Sequence, residues 1–82
     1  MPELNDDPPD AELDTSGLSC PLPVLKARKR LRELPTGARL RVVATDPDSL
    51  QDFRVFCEEA GHRLIEQRQE GERIVHLLQK GG

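Results

Sequence analysis

Of all the residues in this sequence, the cysteine in the run GLSCPLPV, Gly17 to Val24, stands in the setting most suited to chemistry. Cys20 follows a glycine-containing turn and directly precedes two alternating prolines, Pro21 and Pro23. The useful form of cysteine is the thiolate, which needs solvent access and a locally positive environment. The pattern predicts both. A helix is expected to open at Pro21, and its dipole presents partial positive charge to Cys20. Five cations, Lys26, Arg28, Lys29, Arg30 and Arg32, follow on that helix, although most point away from its start and salt screens them. The prolines remove two backbone donors and leave chiefly those of Leu22 and Val24 to meet a thiolate. They also fix φ at two positions, so the cysteine is presented on a stiff backbone. The competing reading is that a lone free cysteine is commonly a small buried filler. Its place before a Pro-x-Pro helix start favours reactivity.

No second catalytic group accompanies it in the sequence. His62 opens a strand after a glycine, and His76 alternates with Ile74 and Leu78 on a core-side face, so both read as ordinary surface or core histidines. Cys20, Cys57, His62 and His76 lack the paired ligand spacing of a zinc site, and no metal is expected. A Cys–His hydrolase needs an oxyanion hole and a cleft that a chain this short does not readily supply. No phosphate-binding glycine loop is present and no cofactor is expected. Cys57 falls on the inward stripe of a second helix and reads as packing. The chemistry reduces to one thiol and whatever partner meets it.

The elements that must position this thiol follow from periodicity. AELDT, residues 11–15, places Ala11 and Leu13 on one side as a short strand. From Pro21 to about Leu34, Val24, Ala27, Leu31 and Leu34 form one apolar helical stripe with Leu25 beside it, and Pro35 and Gly37 end the helix. Proline is tolerated at the first helical position because its missing N–H would be unpaired there. RLRVVAT, Arg39–Thr45, alternates as a strand. Asp46-Pro47 then reads as a helix start, an acidic cap followed by proline. That helix runs to Ala60 with Leu50, Phe53, Phe56, Cys57 and Ala60 inward, and Gly61 stops it. Two strands, about His62–Gln69 and Arg73–Gln79, close the chain around a tight turn at Glu70-Gly71. The order βαβαββ predicts an α/β (α+β) two-layer sandwich, with both helices on one face of a four-stranded mixed sheet.

The totals agree with one small domain. Eighty-two residues with two phenylalanines, no tryptophan and no tyrosine must build a compact core from Leu, Val, Ile and Ala. The net charge of −3 is unevenly spread. Residues 1–14 carry six acids and no base, whereas residues 15–82 carry nine acids and twelve bases. Residues 1–10, MPELNDDPPD, are expected to form a disordered acidic leader, with the ordered domain over 11–80. The leader has neither a basic start nor an apolar stretch, so it does not read as a secretory signal, and no run is long and apolar enough for a membrane span. A cytoplasmic location with reduced thiols is the resulting expectation. The basic row on the first helix reads either as a solvated face or as a dock for an acidic protein surface beside the thiol. Direct nucleic-acid binding is disfavoured by the acidic total and the lack of stacking aromatics.

The run LDTSGLSCPLPVLKARKRL, with its Leu-Asp, Gly17 and the Cys-Pro-x-Pro that opens the helix, resembles the N-terminal signature of the TusA/SirA family of small sulfur carriers. Thr-Asp-Pro at 45–47 and Gly-His at 61–62 extend the resemblance over Leu13–Lys80. It implies the same βαβαββ fold, also similar to the C-terminal domain of translation initiation factor three. It further implies that Cys20 accepts sulfane sulfur as a persulfide from a cysteine desulfurase or a rhodanese, then passes it to an acceptor protein. Such relays serve tRNA thiolation, molybdenum-cofactor assembly or sulfur oxidation. The alternative is a regulatory or redox-sensing adaptor of the same fold. The resemblance offers no role for the acidic leader.

Overall fold

Alternation in the strand RLRVVA sends Leu40, Val42 and Ala44 to one face, where all three are fully buried. The whole molecule is organised around that strand. In the computed structural model, which describes residues 8–82, the order is β1 (Ala11–Thr15), α1 (Leu22–Arg32), β2 (Arg39–Ala44), α2 (Ser49–Ala60), β3 (Arg63–Glu70) and β4 (Arg73–Gln79). The sheet order is β1-β2-β4-β3, with β1 parallel to β2 and the other two pairs antiparallel. Two helices packed against this four-stranded mixed sheet give the expected two-layer α+β architecture.

The core fills the space between the layers. Ala27 and Leu31 of α1, Phe53, Phe56 and Cys57 of α2, and Leu40, Val42 and Leu78 of the sheet form one cluster. Burying a side chain such as Leu31 contributes about 2 kcal/mol. Leu25, expected beside the α1 stripe, is instead half exposed, because helical periodicity sets it about 160° from Ala27 and about 120° from Leu31 around the axis. Ala60 is likewise exposed and Leu50 only half buried, so the buried face of α2 is narrower than its sequence stripe.

Three boundaries differ from the periodicity reading, each for a local reason. Pro21 is the N-cap of α1 and Pro23 its buried second residue, so the helix begins one residue later than expected. The second helix begins at Ser49 and not at Asp46-Pro47. Asp46 caps a turn instead: its Oδ1 accepts the Asp48 N–H at 3.0 Å, and its backbone carbonyl accepts the Ser49 N–H at 2.9 Å. The closing hairpin turns at Gly71 and Glu72, with Glu70 paired to Arg73. Gly71 has φ 64° and Glu72 a negative φ, which suits glycine at the first central position of a type II′ turn. A bulge between Leu64 and Glu66 leaves Ile65 half exposed.

The first seven residues of the expected leader lie outside the described residues. Its last three are tied to β2. Asp10 and Arg39 exchange bonds of 3.0 Å (Asp10 N–H to Arg39 carbonyl) and 2.8 Å (Arg39 N–H to Asp10 Oδ2), and Arg39 Nη2 donates to the Pro8 carbonyl at 3.0 Å. Among the described residues, no helix is long and apolar enough to cross a membrane.

Candidate functional site

Because β1 and β2 run parallel, the loops that leave their C-terminal ends lie side by side. The first carries Ser16–Cys20 and the second Thr45–Asp48. They are sewn together in steps. Buried Thr15 donates through Oγ1 to the Val43 carbonyl at 2.7 Å. The Gly17 N–H donates to Thr45 Oγ1 at 2.9 Å, with Gly17 at φ 81°, a conformation that excludes most side chains. The Cys20 N–H donates to Asp46 Oδ2 at 2.6 Å. Within the first loop, Asp14 Oδ1 accepts from both the backbone N–H and the hydroxyl of Ser16, at 3.0 and 2.6 Å, which lowers the Asp14 pKa. The Leu22 N–H is taken by the Ser19 carbonyl at 2.9 Å. Cys20 is therefore held by its backbone while its side chain is exposed.

The electrostatics correct the expectation of a positive setting. Hydrogen bonding to the Asp52 carboxylate first, then desolvation and the negative charges of Asp52, Asp48 and Asp46, push the Cys20 pKa up to about 11. Of the two donors expected to support a thiolate, Leu22 is already engaged. The resting form is a neutral thiol.

The basic row does not form one surface. Arg28 and Arg32 face α2, and the Arg28 guanidinium lies 5.7 Å from the Phe56 ring centre. Arg28, Val24 and Pro21 of the α1 side meet Asp52, Val55 and Phe56 across a groove of about 280 Å³, with Pro21, the neighbour of Cys20 in the chain, on its wall. Lys26, Lys29 and Arg30 lie on the other flank around Leu13, where Arg30 pairs with Glu33 at 3.1 Å. Leu22 and Leu25 are exposed on the same helix.

Neither histidine reaches the thiol's hydrogen-bonding shell. His76 is fully buried, between Ser49 and Gln67. His62 is half buried, accepts the Gly81 N–H on Nδ1 at 3.0 Å and packs 5.4 Å from Phe56. Cys57 is buried in the core, and burial pushes its thiol up to about 11. Among the described residues no group of three or more His, Cys, Asp or Glu is placed to hold a metal ion. Sequence reasoning missed Thr45, Asp46 and Asp52 as neighbours of the thiol. The available signal was the parallel βαβ order itself, which must bring the loop after β2 against the loop after β1.

A two-layer body presenting one exposed thiol on a fixed loop is a small thiol-presenting domain, with neither histidine beside the sulfur. Residues 11–80 match the family described as sulfurtransferase TusA, and the chain belongs to that family of sulfur carriers. It is 46% identical over 71 residues to the sulfur carrier protein TusA of Allochromatium vinosum, covering 87% of this chain and 93% of that protein. It is 41% identical over 73 residues to the protein of the same name from Pseudomonas paraeruginosa, covering 89% and 92%. The fold is similar to the crystal structure of a SirA-like protein from Desulfitobacterium hafniense, with TM-score 0.76 and 27% identity over 88% of this chain and 99% of that one.

Proposed function

We propose that this chain carries sulfane sulfur as a persulfide on Cys20, taking it from a cysteine desulfurase or a rhodanese and relaying it to an acceptor protein in the cytoplasm. Thiolation of tRNA, cofactor assembly and sulfur oxidation are the pathways such a relay would serve. The observation that carries this reading is an exposed cysteine on a backbone tied at Gly17 and Cys20 to the neighbouring loop. A fixed, protruding sulfur suits insertion into another protein's cleft.

The transfer needs no oxidant. The Cys20 sulfur attacks the outer sulfur of the donor's persulfide, the donor's S–S bond breaks, and the donor leaves as a thiolate. One S–S bond forms as one breaks, and the thiol proton of Cys20 ends on the new persulfide or on solvent. Exchange of this kind depends on approach and on thiol acidity, so a separate base within the carrier is not required. Arg28, which lines the groove with Pro21, and Arg32, in the adjoining pocket with Phe56 and His62, are the stronger docking candidates. Lys26, Lys29 and Arg30 would meet a partner only from the opposite side of α1.

The acidic surroundings count against the redox-sensing alternative. Sensor cysteines are low-pKa thiolates, whereas three carboxylates hold this thiol protonated. The deciding experiment loads the protein with a persulfidated desulfurase and, separately, a persulfidated rhodanese, then reads intact mass. A gain of one sulfur atom, retained in Cys57→Ser and lost in Cys20→Ser, is expected. Failure of both donors to add sulfur would reject the carrier role.

A further inference from the structure

We infer that Asp46 is a positioning residue. Its carboxylate clasps the Cys20 backbone to the start of α2 and thereby fixes where the sulfur stands when a partner protein meets it, a role that rests on the persulfide reading for its second half only. Asp46 is half-buried in the loop after β2. Both of its carboxylate oxygens are committed. Oδ2 accepts the Cys20 N–H at 2.6 Å, and Oδ1 accepts the Asp48 N–H at 3.0 Å. The Asp46 carbonyl accepts the Ser49 N–H at 2.9 Å, so the same residue is also held by the first residue of α2.

Between Gly17 and the start of α1, the bond from the Cys20 N–H is, among the described residues, the one hydrogen bond that crosses to the neighbouring loop. The Leu18 N–H returns to the Thr15 carbonyl at 3.1 Å and the Leu22 N–H to the Ser19 carbonyl at 2.9 Å, so these two stiffen the loop without tying it across. The Gly17 N–H does cross, to Thr45 Oγ1, but at the residue that opens the turn and not at the cysteine. A plain turn-capping role would need only Oδ1 and the Asp48 N–H. The second oxygen is spent on a residue 26 positions earlier, which capping does not explain. A hydrogen bond to a charged acceptor is roughly twice as strong as a neutral one, so this short contact holds its geometry well.

The consequence falls on exchange between two proteins. Each body limits the approach, and the Cys20 sulfur must come within about 3–3.5 Å of the donor's outer sulfur, in line with the S–S bond that breaks. A misplacement of about 1 Å can cost up to about 100-fold in rate. A small reagent escapes this constraint, because it can approach an exposed sulfur from many directions. The clasp therefore matters for protein partners and not for small reagents. Asparagine cannot replace the carboxylate. It offers one acceptor oxygen and one N–H₂ donor, so one of the two backbone N–H groups would face another donor.

The test uses the full chain with Asp46→Asn, Asp46→Ala, Asp46→Glu and Asp48→Asn, all in the Cys57→Ser background. Asp48→Asn removes a neighbouring charge but no capping hydrogen bond, so it measures the effect of charge alone. Sulfur acceptance from a limiting persulfidated desulfurase, followed by intact mass, should be about tenfold slower in Asp46→Asn than in Asp48→Asn. Iodoacetamide alkylation of Cys20 should not fall in either variant. Asp46→Glu keeps two acceptor oxygens and should recover part of the acceptance rate. If Asp46→Asn does not fold, Asp46→Ala takes its place in each comparison. Amide hydrogen exchange is independent of loading: Asp46→Ala should lose protection at Cys20 and Asp48 and retain it at Gly17. Equal acceptance rates in Asp46→Asn and Asp48→Asn overturn the positioning role, as does an equal fall in acceptance and alkylation. Unchanged exchange at Cys20 in Asp46→Ala overturns the clasp itself. A wild type that no donor loads rejects the carrier reading, while the exchange measurement still decides the clasp.

Discussion

Lowering the pH should remove a defined block of stability through His76, and replacing that residue should abolish the effect. The ring is fully buried and stacked on Phe53, with centroids 4.4 Å apart. Its protonation state is fixed by its neighbours. Arg54 Nε donates to Gln67 Oε1 at 3.0 Å, which sets the orientation of that amide. Gln67 Nε2 then donates to the Leu50 carbonyl at 3.0 Å and to His76 Nδ1 at 3.1 Å. With Nδ1 accepting, the ring proton sits on Nε2 and is donated to Ser49 Oγ at 3.0 Å. A second proton on Nδ1 would face the amide N–H donor head on. Burial correspondingly lowers the pKa from 6.5 to about 4. Since the folded value lies below the unfolded one, the unfolded chain takes the proton first. The contribution is complete above about pH 6.5, declines as pH falls, and is gone near pH 4. At 1.36 kcal/mol per pH unit the shift amounts to about 3 kcal/mol, with about 2 kcal/mol lost between pH 7 and pH 5. His62 is shifted the same way by burial and Lys80, so it needs its own control. Urea titrations of wild type, His76→Gln and His62→Gln at both pH values would separate the two. Wild type should lose about 2 kcal/mol more than His76→Gln over this interval. An equal loss in both would refute the assignment of the neutral tautomer.

Two further outcomes follow from packing and from the divided basic row. Cys57→Ser should lower stability by about 1–3 kcal/mol, because it buries a hydroxyl in the cluster around Phe53 and Leu78, as read by thermal melting; sulfur loading on Cys20 should persist. Arg32→Glu should slow sulfur acceptance with little change in melting temperature, and Arg28→Glu should also lose about 0.5–1 kcal/mol of contact with Phe56. Lys29→Glu, on the opposite flank, should leave acceptance rates unchanged, and equal behaviour of all three variants would return the row to an ordinary solvated face.

The fold was readable from the sequence where burial and periodicity coincide. The β2 alternation, the Ala27–Leu31 stripe and the His76 placement between Ile74 and Leu78 all match the structure, because each face has one clear destination. The errors fall where a residue has two possible uses. Asp46-Pro47 carries the chemistry of a helix start, yet its carboxylate reaches across to Cys20, and the helix begins at Ser49. Glu70-Gly71 has the composition of a turn, but Gly71 must take the first central position, which moves the turn one residue on. The bulge at Ile65 left no mark, since one extra residue in an edge strand changes no composition.

The reversed sign of the field at Cys20 has a physical cause that local reading omits. Along its own helix, the first cation after Cys20 is Lys26, six residues on, which is about 9 Å of helical rise and close to one Debye length at physiological salt. The loop after β2 places the Asp46 carboxylate, 26 residues away in sequence, at 2.6 Å from the Cys20 backbone nitrogen, and the helix that follows adds the charge of Asp52. A contact between charges at hydrogen-bonding distance outweighs screened charges several turns away. The prolines sharpen this outcome, because Pro21 and Pro23 remove N–H groups that would otherwise have favoured the anion. The geometry therefore separates two properties usually found together in reactive cysteines, exposure and acidity, and retains only exposure.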